Sequence, residues 1–441
     1  MLSPSDRLIT VPALAQRLSA GSLRSVDHVR EVLGQLDALA ETPWANLVAA
    51  RDDDRALHDA AAADRRRAAG EALGPLDGVA VAVKDNIDVE GLPTRAGSAA
   101  LADASPAAAD AEVVARLRRA GAVVVAKTHL HELAYGPTGT VNAAGPARNP
   151  HDPDRMTGGS SSGSAALVAL GVVPLALGTD TGCSVRVPAA LCGVVGLMPA
   201  LGRLSTSGVL PLSTTLDHVG LLAADLESAA AGYAALVEAR PGPAVVAASL
   251  RIGLPRGTLL SVADAAVASA VEQAARALED AGAQVVDVDV PGLDELAALY
   301  PVVVGAEAHA FHLAGVLTRP ELLGAPTRER LHAGARPAAE YRAALCAMRS
   351  LRAQVLAGLV GIDALLLATA PFPAPLLDQD HVVAEPVRAG LLRLCAPFSV
   401  LGTPAVSVPA PDVAGLPIGL QLVGIRLDEP ALLALSRRAR G

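Results

Sequence analysis

Lysine is nearly missing from this chain. Among 36 basic residues in 441 positions only Lys84 and Lys127 are lysine, leaving 34 arginines. Where any positive charge would serve, arginine has been used, so the two lysines are candidates for something arginine cannot supply. Arginine keeps its proton at any pH a protein tolerates, whereas a desolvated lysine amine can become neutral and basic. Aromatic residues are scarce too, with one Trp, four Tyr and three Phe. The core must therefore be built from Ala, Val and Leu, and an extended aromatic-lined tunnel is disfavoured. Four cysteines at irregular spacing (Cys183, Cys192, Cys346, Cys395) give no disulfide framework and no CxxC pair, which favours a reducing compartment. There is no positive excess: the net charge is −9 and no basic patch interleaves with aromatics, which argues against a nucleic-acid partner. Long hydrophobic runs are absent as well. The longest, Ala165–Gly178 and Leu365–Leu377, contain Gly or Pro and fall short of the ~18 residues of a membrane span. Met1–Arg7 lacks the basic-then-apolar plan of a signal peptide. The expectation is a soluble, cytoplasmic protein with neither membrane nor nucleic acid as partner.

What is present is an alternation of strand and helix patterns. Residues 10–40 read as amphipathic helices, with Ser25 as N-cap before Val26, and an Arg/Asp/Ala-rich helix covers roughly 51–70. A buried strand Val79–Val83 ends at Lys84; a helix Asp110–Ala120 and a strand Ala122–Ala126 follow. Further on come an apolar helix Ala165–Leu170, a strand Val172–Leu177, a strand ending at Leu254, a helix near Val262–Ala281 and a strand Ala283–Val290. The chain closes with a helix Ala338–Leu359, a strand Asp363–Ala368, a loop Ala370–Pro375, and a strand pair with a helix over 404–440. Such alternation predicts an α/β fold with a central mixed β-sheet covered by helices on both faces. With no internal repeat, low-complexity linker or clear boundary, one domain over 1–441 is expected, the helices at about 9–70 packing on it.

Two glycine-rich loops carry the chemistry. Gly158-Gly159-Ser160-Ser161-Ser162-Gly163-Ser164 and Gly178-Thr179-Asp180-Thr181-Gly182-Cys183-Ser184 are joined by one helix and one strand, a connection that brings them side by side. A glycine-rich loop before a helix can cradle phosphate, but no GK[ST] and no GxGxxG accompanies it. A nucleophile finds more support. Successive backbone N–H groups from Thr181, Gly182, Cys183 and Ser184 can form a nest for an oxyanion. A serine hydroxyl also needs a base; no histidine stands in a triad setting nearby, and Lys84 at the end of its apolar strand is the obvious candidate. His129-Leu130-His131 has the His-x-His form of some zinc sites, yet no further ligands with supporting spacing accompany it, so no metal is expected.

The two loops, extended through Val185-Arg186-Val187-Pro188-Ala189, resemble the hallmark of the amidase signature family. Pro75-Leu76-Asp77-Gly78-Val79 through Lys84-Asp85-Asn86 resembles that family's lysine strand. Weaker similarity runs from Ala126-Lys127-Thr128 through Arg148-Asn149-Pro150, and again in Gly402-Thr403-Pro404-Ala405 and Gly419-Leu420-Gln421, so the likeness covers nearly the whole chain. It implies a cofactor-independent amide hydrolase acting on a small-molecule amide through a Ser–Ser–Lys triad. Ser184 would form the acyl-enzyme, Ser160, held by a cis peptide bond, would relay its proton, and Lys84 would be the base. Thr181, Gly182 and Cys183 would belong to the oxyanion site; Asp180, Arg186 and Ser161 would support the loop; Ala134, Tyr135 and Gly136 would lie near the acyl group. Thr214, Thr215 and Phe372 match pocket positions, while Lys127 falls outside the triad. A homodimer stays open. The chain departs from the pattern at Cys183, where a glycine is usual, and at Met198, where lysine is common. The glutamine-hydrolysing component of tRNA-dependent amidotransferases shares the fold and triad but carries an acid for the glutamine ammonium. The corresponding stretch Leu391–Ser399 has none, and Ser399 replaces an asparagine.

Overall fold

The computed structural model describes residues 8–238, 250–256, 263–377 and 385–439. Eleven strands form one sheet: β1 Val48–Ala50, β2 Ala80–Lys84, β3 Val123–Thr128, β4 Leu175–Asp180, β5 Val195–Met198, β6 His218–Ala223, β7 Arg251–Pro255, β8 Gln284–Val288, β9 Ala364–Ala368, β10 Ala405–Val413 and β11 Leu416–Gly424. Their spatial order is β1-β3-β2-β4-β6-β5-β10-β11-β9-β7-β8. The pairs β2–β3, β2–β4, β7–β8 and β7–β9 are parallel and the others antiparallel, so the sheet is mixed, as the sequence pattern predicts.

Side chains of a strand point alternately to opposite faces. In β2, Val81 and Val83 enter one hydrophobic core while Ala80 and Ala82 enter the other. Helices Ser25–Leu39, Asp53–Ala68 and Ser162–Ala169 cover the second face, and Glu112–Arg119, Leu226–Leu236, Ala265–Asp280 and Glu429–Ala439 the first. A strand buried on both sides can be apolar throughout, which is why β2, β3 and β9 are runs of Ala, Val and Leu. Lys84 shares the parity of Ala80 and Ala82, so its side chain is aimed at the face that carries helix Ser162–Ala169, with the serine-rich loop at that helix's start.

Two local expectations need correcting. Ser25 does not cap its helix with its side chain: its hydroxyl donates to the Gly78 carbonyl at 2.8 Å. Asp64 of the neighbouring helix takes over, accepting from the backbone N–H of Ser25 at 2.7 Å and of Val26 at 3.2 Å. The strand expected at Val172–Leu177 begins and ends three residues later. Its antiparallel partner β6 extends the ladder to Asp180↔His218, so Gly178, Thr179 and Asp180 belong to the strand rather than to a loop. The helix expected near Val262–Ala281 is observed over Ala265–Asp280, Val262 lying outside the described residues.

Candidate active site

β2 and β4 are parallel neighbours, and both end at the site. Lys84 Nζ lies 2.7 Å from Ser160 Oγ, 2.7 Å from Thr179 Oγ1 and 3.3 Å from the Thr179 carbonyl. Asn86 holds the same Thr179 hydroxyl from the other side at 3.2 Å. Among the described residues no carboxylate touches the amine. Burial pulls the Lys84 ammonium down from the ordinary lysine range to about 7, against the opposing charges of Asp180 and Asp217. An amine so placed can exchange a proton with the Ser160 hydroxyl near neutral pH.

The Gly159–Ser160 peptide bond is cis. Ser161 fixes the two loops to each other: its hydroxyl donates to the Thr179 carbonyl at 3.2 Å, and its backbone N–H donates to the Ser184 carbonyl at 3.1 Å. Gly178 leaves room for this contact, since a Cβ there would come within 2.7 Å of Ser161 Oγ. Lys84 and Ser160 are wholly buried, whereas Ser184 retains 6% exposure and is the most open of the three.

Asp180 and Arg186 brace the loop between them. The carboxylate accepts from the backbone N–H of Val185 at 3.0 Å and from the Arg186 side chain at two nitrogens, each at 3.0 Å. Arg186, also fully buried, donates to the Gly182 carbonyl, the Cys395 carbonyl, Gln421 Oε1 and Ser399 Oγ. With Asp180 engaging Val185 and Arg186, the backbone N–H groups of Gly182, Cys183 and Ser184 have no acceptor among the described residues. Thr181 is held through its hydroxyl, which donates to Asp217 at 2.6 Å. Burial raises the Asp217 carboxyl to about 6 in spite of Thr181 and the backbone N–H groups of Ser213 and Leu212.

Cys183 is buried among Met156, Val187, Leu191, Ala370, Ala374 and Cys395, and burial pushes its thiol well above the ordinary range. It is a packed thiol, not a thiolate. Met198 and Ser399, read in sequence as separate departures, touch each other at 3.6 Å, and Ser399 reaches Asp180 at 3.5 Å. Lys127 pairs with Asp85 at 2.8 Å and holds the Pro93 carbonyl and Thr94 hydroxyl, away from the serines. His129 donates to the Gly145 carbonyl at 2.9 Å, and His131 lies against Gly136 and Thr138.

A cavity of about 780 Å³ adjoins this centre between helices Tyr300–His312, Ala325–Ala333 and Glu385–Arg393. Of the residues expected near the acyl group only Tyr135 lines it; Ala134 is buried at φ +57°, and Gly136 packs on the His131 ring. Phe372 is in the wall, as expected, whereas Thr215 is turned to Glu307. None of Lys84, Ser160 and Ser184 lines the cavity directly. The link is Tyr300, a wall residue packed so closely on Gly182 that a Cβ there would come within 2.5 Å of its hydroxyl. Tyr300 and Asp217 escaped the sequence reading, since neither stands in a stretch with a recognisable spacing, and Thr179, though inside the second loop, was given no role there.

This arrangement agrees with what the chain is similar to. The Amidase family model matches residues 27–433. The chain belongs to the amidase signature family. Amidase-signature relatives carry several names. One component of the glutamyl-tRNA(Gln) amidotransferase of Chloroflexus aurantiacus is 36% identical over 96% of this chain and 94% of its own length. A component of the 1-carboxybiuret hydrolase of a Pseudomonas species is likewise 36% identical, over 95% of each chain. A solved structure described as an amidase superposes with a TM-score of 0.90 at 36% identity, covering 98% of this chain and 99% of that one. The native peptide amidase of Stenotrophomonas maltophilia gives 0.82 at 30% identity over 98% of this chain and 96% of its own. Among the described residues, no helix is long and apolar enough to cross a membrane.

Proposed function

We propose that this protein hydrolyses a carboxamide or related C–N bond of a small molecule through a seryl acyl-enzyme. Ser184 attacks the carbonyl carbon, Ser160 takes the Ser184 proton, and Lys84 takes that of Ser160. The backbone N–H groups of Gly182, Cys183 and Ser184 hold the oxyanion, and Thr181 is steadied beside them by Asp217. The proton returns by the same route to the leaving nitrogen, and water releases the acid. One observation carries this reading: a buried lysine amine 2.7 Å from a serine hydroxyl, with its proton affinity brought to about 7. We place the activity in the cytoplasm, with a small-molecule substrate and no part for nucleic acid or membrane.

The names of several relatives favour a second reading, in which the amide is glutamine and the ammonia serves a tRNA-dependent transfer. Against it, Leu391–Ser399 carries no acid for the glutamine ammonium, and Leu391, Leu394 and Cys395 are buried. The test is ammonia release from a panel of primary amides that includes glutamine, with wild type and Ser184→Ala. The substitution should abolish turnover, and intact-mass analysis should find the acyl adduct on Ser184. Activity within about tenfold of wild type, or an adduct on Cys183, would remove Ser184 from its role. Glutamine turned over best by wild type would favour the second reading over the first.

A further inference from the structure

Four arginines and one carboxylate, Asp294, line the cavity beside Gly182, so its walls carry an excess of positive charge. Arg330, from helix Ala325–Ala333, and Arg388, from helix Glu385–Arg393, both line it. Arg330 donates to the backbone carbonyl of Tyr135 at 2.7 Å, and among the described residues no carboxylate lies within ion-pair distance of it. Burial, and then the Arg388 guanidinium, weaken the hold of Arg330 on its proton, as expected for two like charges sharing one space. Arg388 is gripped by Glu385 at 2.8 and 2.7 Å, but that glutamate is two-thirds exposed and faces water as well. The remaining wall joins apolar surface (Phe372, Val304) to the two phenols of Tyr135 and Tyr300, and includes Asp294, Arg393 and Arg336, the last paired with Glu340.

A guanidinium taken out of water without a counter-charge is unfavourable. Its planar fork matches a carboxylate with two parallel hydrogen bonds, a geometry an ammonium does not offer. Since Tyr300 touches both the cavity and Gly182, a ligand on the arginines lies within a short molecule's length of the serines. We propose that Arg330 and Arg388 select amide substrates that bear a carboxylate, holding that group in the cavity while the amide carbon reaches Ser184. This rests on the hydrolase reading for the fate of the amide, but not for the binding of the anion.

The two parts are tested separately. First, binding of glutarate, the acid that hydrolysis of glutaramate would leave, is measured by calorimetry on the full-length Ser184→Ala protein. Glutarate should bind, and adding Arg388→Gln should weaken binding roughly 10- to 100-fold, the worth of a hydrogen-bonded charge contact. Arg330→Lys, which keeps the charge and loses the fork, should weaken it as well. Each variant's unfolding midpoint is measured first, and Arg388→Lys replaces any that unfolds early. Second, kcat/KM is compared for glutaramate and for pentanamide, its neutral counterpart of equal chain length. Glutaramate should be preferred by wild type, and Arg388→Gln should lower that preference by the same factor. Glutarate that fails to bind, binding indifferent to Arg388, or preference for pentanamide would overturn the proposal. Arg388-dependent glutarate binding with no ammonia released from any amide would sustain it and defeat the hydrolase reading instead.

Discussion

Lys84 and Lys127 end neighbouring parallel strands, with Val83 opposite Lys127 and Lys84 opposite Thr128, yet their surroundings differ in kind. Lys127 has the Asp85 carboxylate at 2.8 Å, whereas among the described residues Lys84 has only hydroxyls and a carbonyl. Burial lowers both amines, but at Lys127 the Asp85 carboxylate opposes it in direct contact, whereas Lys84 is brought down to about 7. Lys84→Arg should therefore lower kcat about 10²–10⁴-fold, the usual contribution of a general base, because guanidinium stays protonated. Lys127→Arg should cost far less, and similar losses for the two would place the base elsewhere. The direction of the pH effect follows. The base works when neutral, so kcat/KM should rise with pH through about 7 and level off above it. Lys84→Ala should abolish that limb. The apparent midpoint belongs to the coupled Lys84–Ser160 pair rather than to either group. Legibility at this scale was uneven. Lys84, Ser160 and Ser184 stood out because rare residues and glycine-flanked serines are conspicuous. Arg330 and Arg388 did not, because two among 34 arginines carry no signal and a cavity lined from separate helices has no spacing.

At the scale of elements, the loop from Thr181 to Ser184 is shaped less by its own residues than by Asp180 and Arg186 at its ends. Arg186 is wholly buried and reaches β11 through Gln421 and helix Ala396–Leu401 through Ser399, so one side chain ties the loop to two later parts of the chain. Arg186→Met leaves Asp180 charged and unpaired in the interior, a change that costs about 3–5 kcal/mol. A urea titration should show the lowered midpoint, and activity should fall with it because the Gly182 carbonyl loses its anchor. Unchanged stability would mean that Asp180 finds another partner. The brace was readable from the family likeness, but the true end of β4 was not. Gly178-Thr179-Asp180 has the composition of a turn, and only the ladder to His218 on β6 keeps it extended. In the same way the serine expected to cap a helix yields to Asp64, a tertiary partner invisible to local pattern.

In the whole molecule, the strand pair expected at the end of the chain is present, but it does not lie at an edge. β10 and β11 stand in the middle of the sheet, β10 against β5 and β11 against β9, joining β1–β6 to β7–β9. Sequence order gives no hint of such a placement, since both hairpins and distant strands satisfy the same apolar pattern. A chain cut after residue 403 would leave two sheet fragments with unpaired inner edges, each a template for association. It should fail to show a single cooperative unfolding transition, and size-exclusion chromatography should find aggregates; a monomer with native-like cooperativity would show that the hairpin is dispensable.

The burial of both lysines has a practical corollary. Neither Lys84 nor Lys127 exposes any surface. Acylating, carbamoylating and glycating reagents therefore meet no lysine amine on the folded protein, however many arginines surround them. In intact-mass analysis with an amine-selective reagent, denatured protein should take up two more adducts than native protein. Labelling of these two amines would then serve as a direct clock for opening of the core, and a native sample labelled at Lys84 would reveal motions that admit reagent to the buried amine.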